Sequence, residues 1–324
     1  MSGLTSRCVG GGLLLGTLIA VAYGGGVANE LVFDERMFVE RDERVHELAV
    51  ERIFFEALWS DGEQDERVHQ YYRPLQLLPL ALSYQWFGDA GWPSHLLSLL
   101  VHLANCLLVL SIYRKLLAPA GLERNDGWLP LALVGAYAVH PGLSEAVLWI
   151  SDIAGLGAAF CILASFRLHL SARRDRWYGW IGAPLLLLTG LWFKESGILV
   201  VPLLALYDLV AAPDRGMRRL WELRSRYLVL LPALGIYGWM RLHALGGPLP
   251  GMSSVPLSGW QLVLNAVALL PEFGSTFLWP FDPNMFHDFD PVMNLASSRF
   301  WIGAAMLVAA AAIVAGSIRR GRVA

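Results

Sequence analysis

The sequence has few charged residues, and this scarcity excludes an ordinary soluble protein. Only 16% of the 324 residues are Asp, Glu, Lys or Arg, whereas globular chains carry about 25%. Hydrophobic residues make up 56% of the chain, and its mean hydropathy is +0.48. The composition therefore predicts an all-α protein, a polytopic transmembrane helix bundle that forms one domain over residues 1–324.

Cysteine and lysine are also scarce. The three cysteines, Cys8, Cys106 and Cys161, lie in apolar stretches without a CxxC pair, which excludes a disulfide framework and a thiolate metal site. Two lysines accompany 23 arginines, and these basic residues cluster between apolar runs. Since no basic stripe with interleaved aromatics occurs, nucleic acid is excluded as a partner.

Apolar runs long enough to cross a bilayer predict about eight spans, each needing roughly 20 residues. They are Val9–Ala28, Pro93–Tyr113, Trp128–Val139, Val147–Leu168, Trp177–Phe193, Gly197–Ala212, Tyr227–Met240 and Phe300–Ile318. Pro74–Phe87 and Trp260–Phe281 are interrupted by Pro or Gly and remain ambiguous. In the first run, Ala20-Val21-Ala22 resembles a signal-peptide cleavage site, but the run continues to Ala28, which favours an uncleaved anchor.

The basic clusters predict the orientation, because short cytoplasmic loops carry excess Arg and Lys. Both termini are then cytoplasmic, and residues 29–71 and 244–298 lie outside, provided that Trp260–Phe281 only dips into the outer leaflet as a re-entrant or interfacial helix. The high ratio of Arg to Lys and the lack of an N-x-S/T sequon fit a bacterial inner membrane with its active site on the periplasmic face.

The external loop 29–71 is acidic, with 13 of the 27 acidic residues of the chain. Within it, apolar residues recur at roughly helical spacing from Val45 to Trp59. This spacing predicts an interfacial helix that rests on lipid or on the bundle, and a small cap packed on itself is the alternative.

Ionisable residues recur in the connectors on this predicted outer side. Acids can deprotonate an acceptor hydroxyl and cations can hold a phosphate, so together they indicate group transfer from a phosphorylated lipid. Each motif alone also fits a structural role, such as a helix cap for Glu145 or a lipid contact for Arg73. The motifs are Phe33-Asp34-Glu35-Arg36, Tyr72-Arg73-Pro74-Leu75, His140-Pro141 with Glu145-Ala146-Val147 and Trp149-Ile150-Ser151, and Lys194-Glu195-Ser196-Gly197.

In this order, the motifs resemble the transmembrane module of the O-mannosyltransferase-like proteins that carry tetratricopeptide repeats, a family of the GT-C superfamily of membrane glycosyltransferases. The resemblance covers roughly residues 29–210 and implies a GT-C-like fold. It implies a donor that is a polyprenyl- or dolichyl-phosphate-linked hexose such as mannose. The acceptor is a hydroxyl on a protein, lipid or glycan outside the cytoplasm, and the anomeric carbon is inverted.

The resemblance also implies roles for individual residues. The catalytic acids are Asp34, as general base, and Glu35; the groups for the donor phosphate are Arg73, Lys194, His102 and His140; and acceptor contact or structural support falls to Glu145, Glu195 and Tyr72. No cofactor is certain, and a divalent metal ion on Asp34 and Glu35 is left open, because hard cations prefer carboxylate oxygens. Membrane lipids are further partners.

The sequence departs from the family pattern after the hairpin motif. Family members continue with Arg-x-Asp, but Ile153 and Gly155 occupy these positions here, and Asp152 is shifted. No repeat array follows the last apolar run. Because the Arg-x-Asp is missing, a catalytically degenerate relative that acts as a membrane subunit or scaffold is the alternative to an enzyme. A transporter fits less well, since Asp208 is the main charge away from the span ends.

Overall fold

The computed structural model describes residues 2–59, 71–117, 128–171, 177–211, 217–247, 257–280 and 290–319, and these ranges contain helices and no strand. The α-helices, in chain order, are α1 (Ser2–Tyr23), α2 (Asp34–Arg36), α3 (Glu43–His46), α4 (Val50–Phe55), α5 (Pro74–Phe87), α6 (Trp92–Leu117), α7 (Trp128–Ala138), α8 (Ser144–Leu148), α9 (Ile153–Ser171), α10 (Trp177–Phe193), α11 (Val200–Val210), α12 (Met217–Glu222), α13 (Arg224–Leu228), α14 (Leu231–Leu245), α15 (Gly259–Leu278) and α16 (Ser298–Arg319).

The long apolar helices confirm the predicted all-α membrane fold. In the described ranges, five helical stretches are long and apolar enough to cross a membrane, and α7 with the 141–148 segment, bent by 55°, makes a sixth. The number differs from the predicted eight because α10, α11 and α16 are too short in their described parts, whereas α15, from a stretch left ambiguous, is long enough to cross. The predicted span Gly197–Ala212 is divided into a 3₁₀ segment, Glu195–Leu199, and the 11-residue α11.

The bundle helices α1, α6, α7, α9, α10, α11 and α14 run alternately in opposite directions. His169 near the end of α9 contacts Asp208 near the end of α11, and Arg167 donates to Ser111 near the end of α6. These three helices therefore end on the same side. The connectors that carry the sequence motifs lie on the other side.

Residues 34–59, which we call the cap, form short helices rather than one interfacial helix. The cap packs on α5 through a buried apolar cluster, and Gln85 of α5 donates to the His46 carbonyl at 2.8 Å. Arg44 is 1% exposed and makes a bidentate pair with Asp42. An interfacial helix would need one continuous apolar stripe, whereas here the chain turns to bury apolar residues from several sides.

A buried polar stripe on α6 holds the neighbouring helices in place. Its side chains share one helical face: Ser94, His95, Ser98, His102 and Asn105. His102 Nε2 lies 2.9 Å from the Ala138 carbonyl at the end of α7. Asn105 donates to the Leu156 carbonyl in the first turns of α9 at 3.1 Å. Polar contacts of this kind connect membrane helices, and these two fix both flanks of the segment between α7 and α9.

Helices α15 and α16 pack against each other and complete the described chain. The interface is close, because a Cβ at Gly303 would overlap with the Val267 carbonyl oxygen. Helix α15 continues through Pro271 for 20 residues, which is long enough to cross a membrane. The expectation that Trp260–Phe281 only dips into the membrane therefore remains a prediction, and Phe281 lies outside the described residues.

Candidate functional site

The acidic pair Asp34–Glu35 follows a tight turn at the end of α1. The Glu35 N–H donates to the Val32 carbonyl at 3.0 Å, and Phe33 between them has φ 49° and ψ −122°. This conformation is strained for a residue with a side chain. The turn sends Glu35 into the protein, where it is 1% exposed, and leaves Phe33 58% exposed.

Both carboxylates contact the segment between α8 and α9, 115 positions further along the chain. The Trp149 indole N–H donates to Asp34 Oδ1 at 3.0 Å. Glu35 Oε1 accepts from the Ile150 N–H at 2.6 Å, and its Oε2 accepts from the Val32 N–H at 2.8 Å. Both oxygens of Glu35 thus accept from backbone N–H groups, whereas Asp34 is half-buried and accepts from the Trp149 side chain.

The surroundings of the acidic pair change its proton affinity. Burial raises the pKa of the Asp34 carboxyl above its ordinary value, although hydrogen bonds from neighbours such as Trp149 partly oppose this. Burial also raises the pKa of Glu35. A carboxylate that is harder to ionise is a stronger base once it has ionised, so Asp34 has the electrostatic setting of a general base.

Asp152 connects the same segment to the Lys194 hairpin. Its Oδ1 lies 3.0 Å from the Lys194 ammonium. Gly155 makes room for this carboxylate, because a Cβ at that position would lie 2.5 Å from Asp152 Oδ2. Asp152 lies three residues before Gly155, the position at which the resembling family has its own acid. The chain thus has an ion pair in this region despite Ile153 and Gly155.

Glu195, next to Lys194, lies between two guanidinium groups. Arg73 donates to Glu195 Oε2 from Nε at 3.0 Å and from Nη2 at 2.9 Å. Arg241 of α14 approaches Glu195 Oε1 at 3.5 Å. The Tyr71 ring stacks under the Arg73 guanidinium at 4.4 Å. Among the described residues, Glu195 is the one acid within 4.0 Å of Arg73 or Arg241. One carboxylate thus faces two guanidinium groups, and the cluster carries an excess positive charge.

A close backbone contact positions the Lys194–Glu195 hairpin. A Cβ at Gly197 would lie 2.5 Å from the Gly190 carbonyl carbon. Since no larger residue fits this contact, Gly197 allows the 195–199 segment to fold back directly against the end of α10. The two charged side chains are therefore held at the end of the bundle.

Three other predicted residues, His140, Glu145 and His102, make contacts of their own. His140 Nδ1 accepts from the Gly142 N–H, and its ring stacks on Phe277 of α15 at 5.1 Å. Glu145 is exposed in the first turn of α8. His102 is 1% exposed and contacts Ala138 between helices, which is a structural contact.

Tyr72 is fully buried beside the arginine cluster. Its hydroxyl donates to the Phe54 carbonyl of the cap at 2.9 Å. This contact fixes the chain just before Arg73 and so supports the position of the guanidinium. The supporting role of Tyr72 in the site stays a prediction.

No group of three or more His, Cys, Asp or Glu side chains in the described ranges could hold a metal ion. Glu35, one of the two residues considered for a metal, already accepts backbone N–H groups with both oxygens. Its surroundings are those of a structural carboxylate. A metal ion at the acidic pair stays a prediction.

Three contributors to this site were not predicted from the sequence: Trp149, Asp152 and Arg241. Trp149 belonged to a motif without a role, and Asp152 was interpreted as a shifted residue. Arg241 had one signal, a lone charge within an otherwise apolar helix, which is usually paired or functional. Their contacts with residues 34 and 194–195 join distant parts of the chain, which local spacing does not predict.

Comparison with known proteins supports the resemblance. No protein-family model and no solved structure matches the chain. Protein O-mannosyl-transferase Tmtc3 of Drosophila melanogaster is 28% identical over 214 residues, covering 58% of this chain and 23% of the relative. Protein O-mannosyl-transferase TMTC2 of Homo sapiens is 29% identical over 181 residues, 54% and 21% of the two chains.

The match extends further in a third relative, protein O-mannosyl-transferase TMTC3 of Mus musculus, at 22% identity over 262 residues, which is 79% of this chain and 25% of the relative. The chain therefore spans about a quarter of the length of these relatives. The resemblance inferred from the motifs is thereby confirmed: the chain is similar to part of the protein O-mannosyl-transferases.

Proposed function

We propose that the protein is a membrane glycosyltransferase that moves a hexose, with mannose as the first candidate, from a polyprenyl-phosphate donor to an acceptor hydroxyl. The observation that carries this proposal is the contact of Asp34 and Glu35 with the 149–152 segment, which also binds Lys194. The 149–152 segment therefore holds both an acid suited to activate a hydroxyl and a cation, Lys194, suited to bind a phosphate. The names of the similar proteins favour mannose and a protein acceptor.

Asp34 is the proposed general base, and Glu35 is its positioning residue. The acceptor O–H gives its proton to the Asp34 carboxylate while the acceptor oxygen forms a bond to the anomeric carbon. The bond from that carbon to the donor phosphate breaks, and the electron pair leaves with the polyprenyl phosphate. Attack opposite the leaving group inverts the anomeric carbon. A phosphate leaves as a weak base, so the step needs no general acid.

The cations Arg73, Lys194 and Arg241 are the proposed groups for the donor phosphate. Their charges exceed those of Asp152 and Glu195 by one, and an anion would balance the excess. Guanidinium groups bind phosphate oxygens with geometrically defined hydrogen bonds. In a site shielded from water, such groups stabilise the leaving phosphate more strongly than in bulk solvent. The positive-inside rule supports a site on the side away from the cytoplasm, and the high ratio of Arg to Lys with the lack of an N-x-S/T sequon supports a bacterial inner membrane.

Reconstitution of the purified chain in liposomes tests the proposal. Polyprenyl-phosphate-linked mannose labelled in the sugar is supplied with protein, lipid or glycan acceptors, and GDP-mannose serves as the alternative donor. We expect label to reach an acceptor only from the lipid-linked donor. Transfer from GDP-mannose alone, or no transfer from the lipid donor to any acceptor, would contradict the proposed function.

Arg241→Met is expected to weaken donor binding. The change removes one of the two guanidinium groups around Glu195, so the KM for the lipid-linked sugar should rise about tenfold, as for loss of one charge-assisted hydrogen bond. Steady-state kinetics with varied donor concentration measures this. Arg218→Met, an 85% exposed arginine at the other end of the bundle, is the matched control. An unchanged KM in Arg241→Met would remove Arg241 from the phosphate site.

We expect the transferase activity to decrease at acidic pH, with an apparent pKa that lies above the ordinary value of an aspartate. Burial raises the pKa of Asp34, and only its ionised form can accept the proton. Activity should therefore be full above this raised pKa and should fall tenfold per pH unit below it. A profile of kcat/KM against pH measures the effect. A descending acid limb at the ordinary aspartate pKa, or none, would disagree with the burial of the base.

A further inference from the structure

An apolar cavity lies at the end of the bundle opposite the candidate site. It has a volume of about 390 Å³ and is lined by Ala205, Met217, Leu220, Trp221, Arg224, Tyr227 and Leu228. These residues belong to α11 and to the short helices α12 and α13, which connect α11 to α14. The volume falls within the range of small-molecule sites, about 300–1,000 Å³. Six of the seven lining side chains are hydrocarbon, aromatic or thioether groups, which favours an apolar occupant.

The wall of the cavity is held by a buried polar network. The Tyr227 hydroxyl donates to Asp208 Oδ2 at 2.6 Å, and His169 Nε2 lies 3.0 Å from Asp208 Oδ1. Asp208 is 3% exposed. These contacts connect α13 to α9 and α11, so the Tyr227 ring is fixed against the cavity and the space beside it is preformed.

Positive charge surrounds this cavity. Residues 217–226 contain four arginines and one acid, Glu222. Arg218 and Arg219 share this acid at 3.6 and 3.8 Å. Arg224 is exposed and donates to the Trp221 carbonyl at 2.9 Å. Among the residues that the structure describes, no carboxylate lies within 4.0 Å of Arg224, which is therefore the lining cation available to an anion.

We propose that this cavity binds one anionic phospholipid, with an acyl chain against Ala205, Leu220 and Leu228 and with the headgroup phosphate on Arg224. The combination of an apolar space and a cation without an acidic partner matches an amphiphile with a negative head. A membrane supplies such a molecule at the place where α11 ends. Basic pockets between membrane helices attract anionic lipids on the Arg-rich side. This binding does not depend on the transferase activity.

Native mass spectrometry of the detergent-purified full chain tests the proposal with phosphatidylglycerol and phosphatidylcholine. We expect a preference for phosphatidylglycerol that falls about fivefold in Arg224→Gln, the loss expected for one basic residue at a membrane surface. Arg218→Gln removes the same charge outside the cavity and should keep the preference. Equal losses in the two variants would indicate general attraction to the basic surface and would overturn the specific site.

Three further measurements test the apolar part and the site as a whole. Ala205→Leu reduces the volume of the cavity and should lower the binding of phosphatidylglycerol. In a thermal unfolding assay, this lipid should stabilise both Ala205→Leu and Arg224→Gln less than it stabilises the wild type. Wild-type stabilisation in both variants would refute the site. Glycerol 1-phosphate carries the head without the chain. If it displaces phosphatidylglycerol at comparable concentration, the cavity is not used and the proposal fails.

Discussion

Asp34→Asn is expected to lower kcat for sugar transfer by about 10²–10⁴-fold, the usual contribution of a positioned general base. The amide oxygen of asparagine can still accept the hydrogen bond from the Trp149 indole, so the turn should keep its structure. The amide cannot take the proton of the acceptor hydroxyl. Steady-state kinetics with the lipid-linked donor would measure a loss in kcat with little change in the KM for the donor.

Glu30→Gln is the matched control for this result. Its side chain is 90% exposed on the same loop, so neutralising it tests whether any acid of the loop suffices. We expect near wild-type activity. Glu35→Gln should instead alter the position of the turn, because Glu35 binds the N–H groups of Val32 and Ile150. Wild-type turnover in Asp34→Asn would exclude Asp34 as the base.

Arg44→Leu is expected to destabilise the cap by about 3–5 kcal/mol, the cost of leaving one partner of a buried ion pair alone. Arg44 binds both carboxylate oxygens of Asp42 and donates to the Ala57 and Leu58 carbonyls at 2.7 and 2.8 Å. Leucine supplies none of these donors. Hydrogen–deuterium exchange of the amides between residues 42 and 58 should accelerate accordingly, while α9 and α10 remain protected.

Two variants separate the charge effect from a general effect of the substitution. Arg41→Leu makes the same change at an exposed position of the cap and should leave exchange unchanged. The double variant Asp42→Asn with Arg44→Leu removes both charges, so it should be less destabilised than Arg44→Leu alone. Equal exchange in Arg44→Leu and the wild type would show that the pair does not stabilise the cap.

Local patterns predicted most of the helices. The apolar runs Pro93–Tyr113 and Trp177–Phe193 correspond to α6 and α10, because continuous hydrophobicity is sufficient to define a membrane helix. Pro74–Phe87 stayed ambiguous, since its length of 14 residues fits several positions. Its place beside the cap depends on Gln85 and the buried cluster, which involve residues about 40 positions away.

The candidate site was predicted by residue type but not by its contacts. Asp34, Arg73 and Lys194 stand in motifs, and their charges beside apolar runs made them noticeable. Their partners Trp149, Glu195 and Asp152 lie 42 to 122 positions away, and pairing over such separations depends on helix packing. The ring of His102, predicted as a phosphate ligand, contacts the end of α7 because its face of α6 points into the bundle.

The two carboxylate oxygens of Glu35 accept hydrogen bonds from backbone groups that are synthesised far apart in time. The Val32 N–H is present as soon as α1 has left the ribosome, whereas the Ile150 N–H follows only after α6 and α7. The acidic pair therefore reaches its final position late in biogenesis. A chain arrested before residue 150 would keep the Val32 contact of Glu35 but would lack the Ile150 N–H that binds its second oxygen.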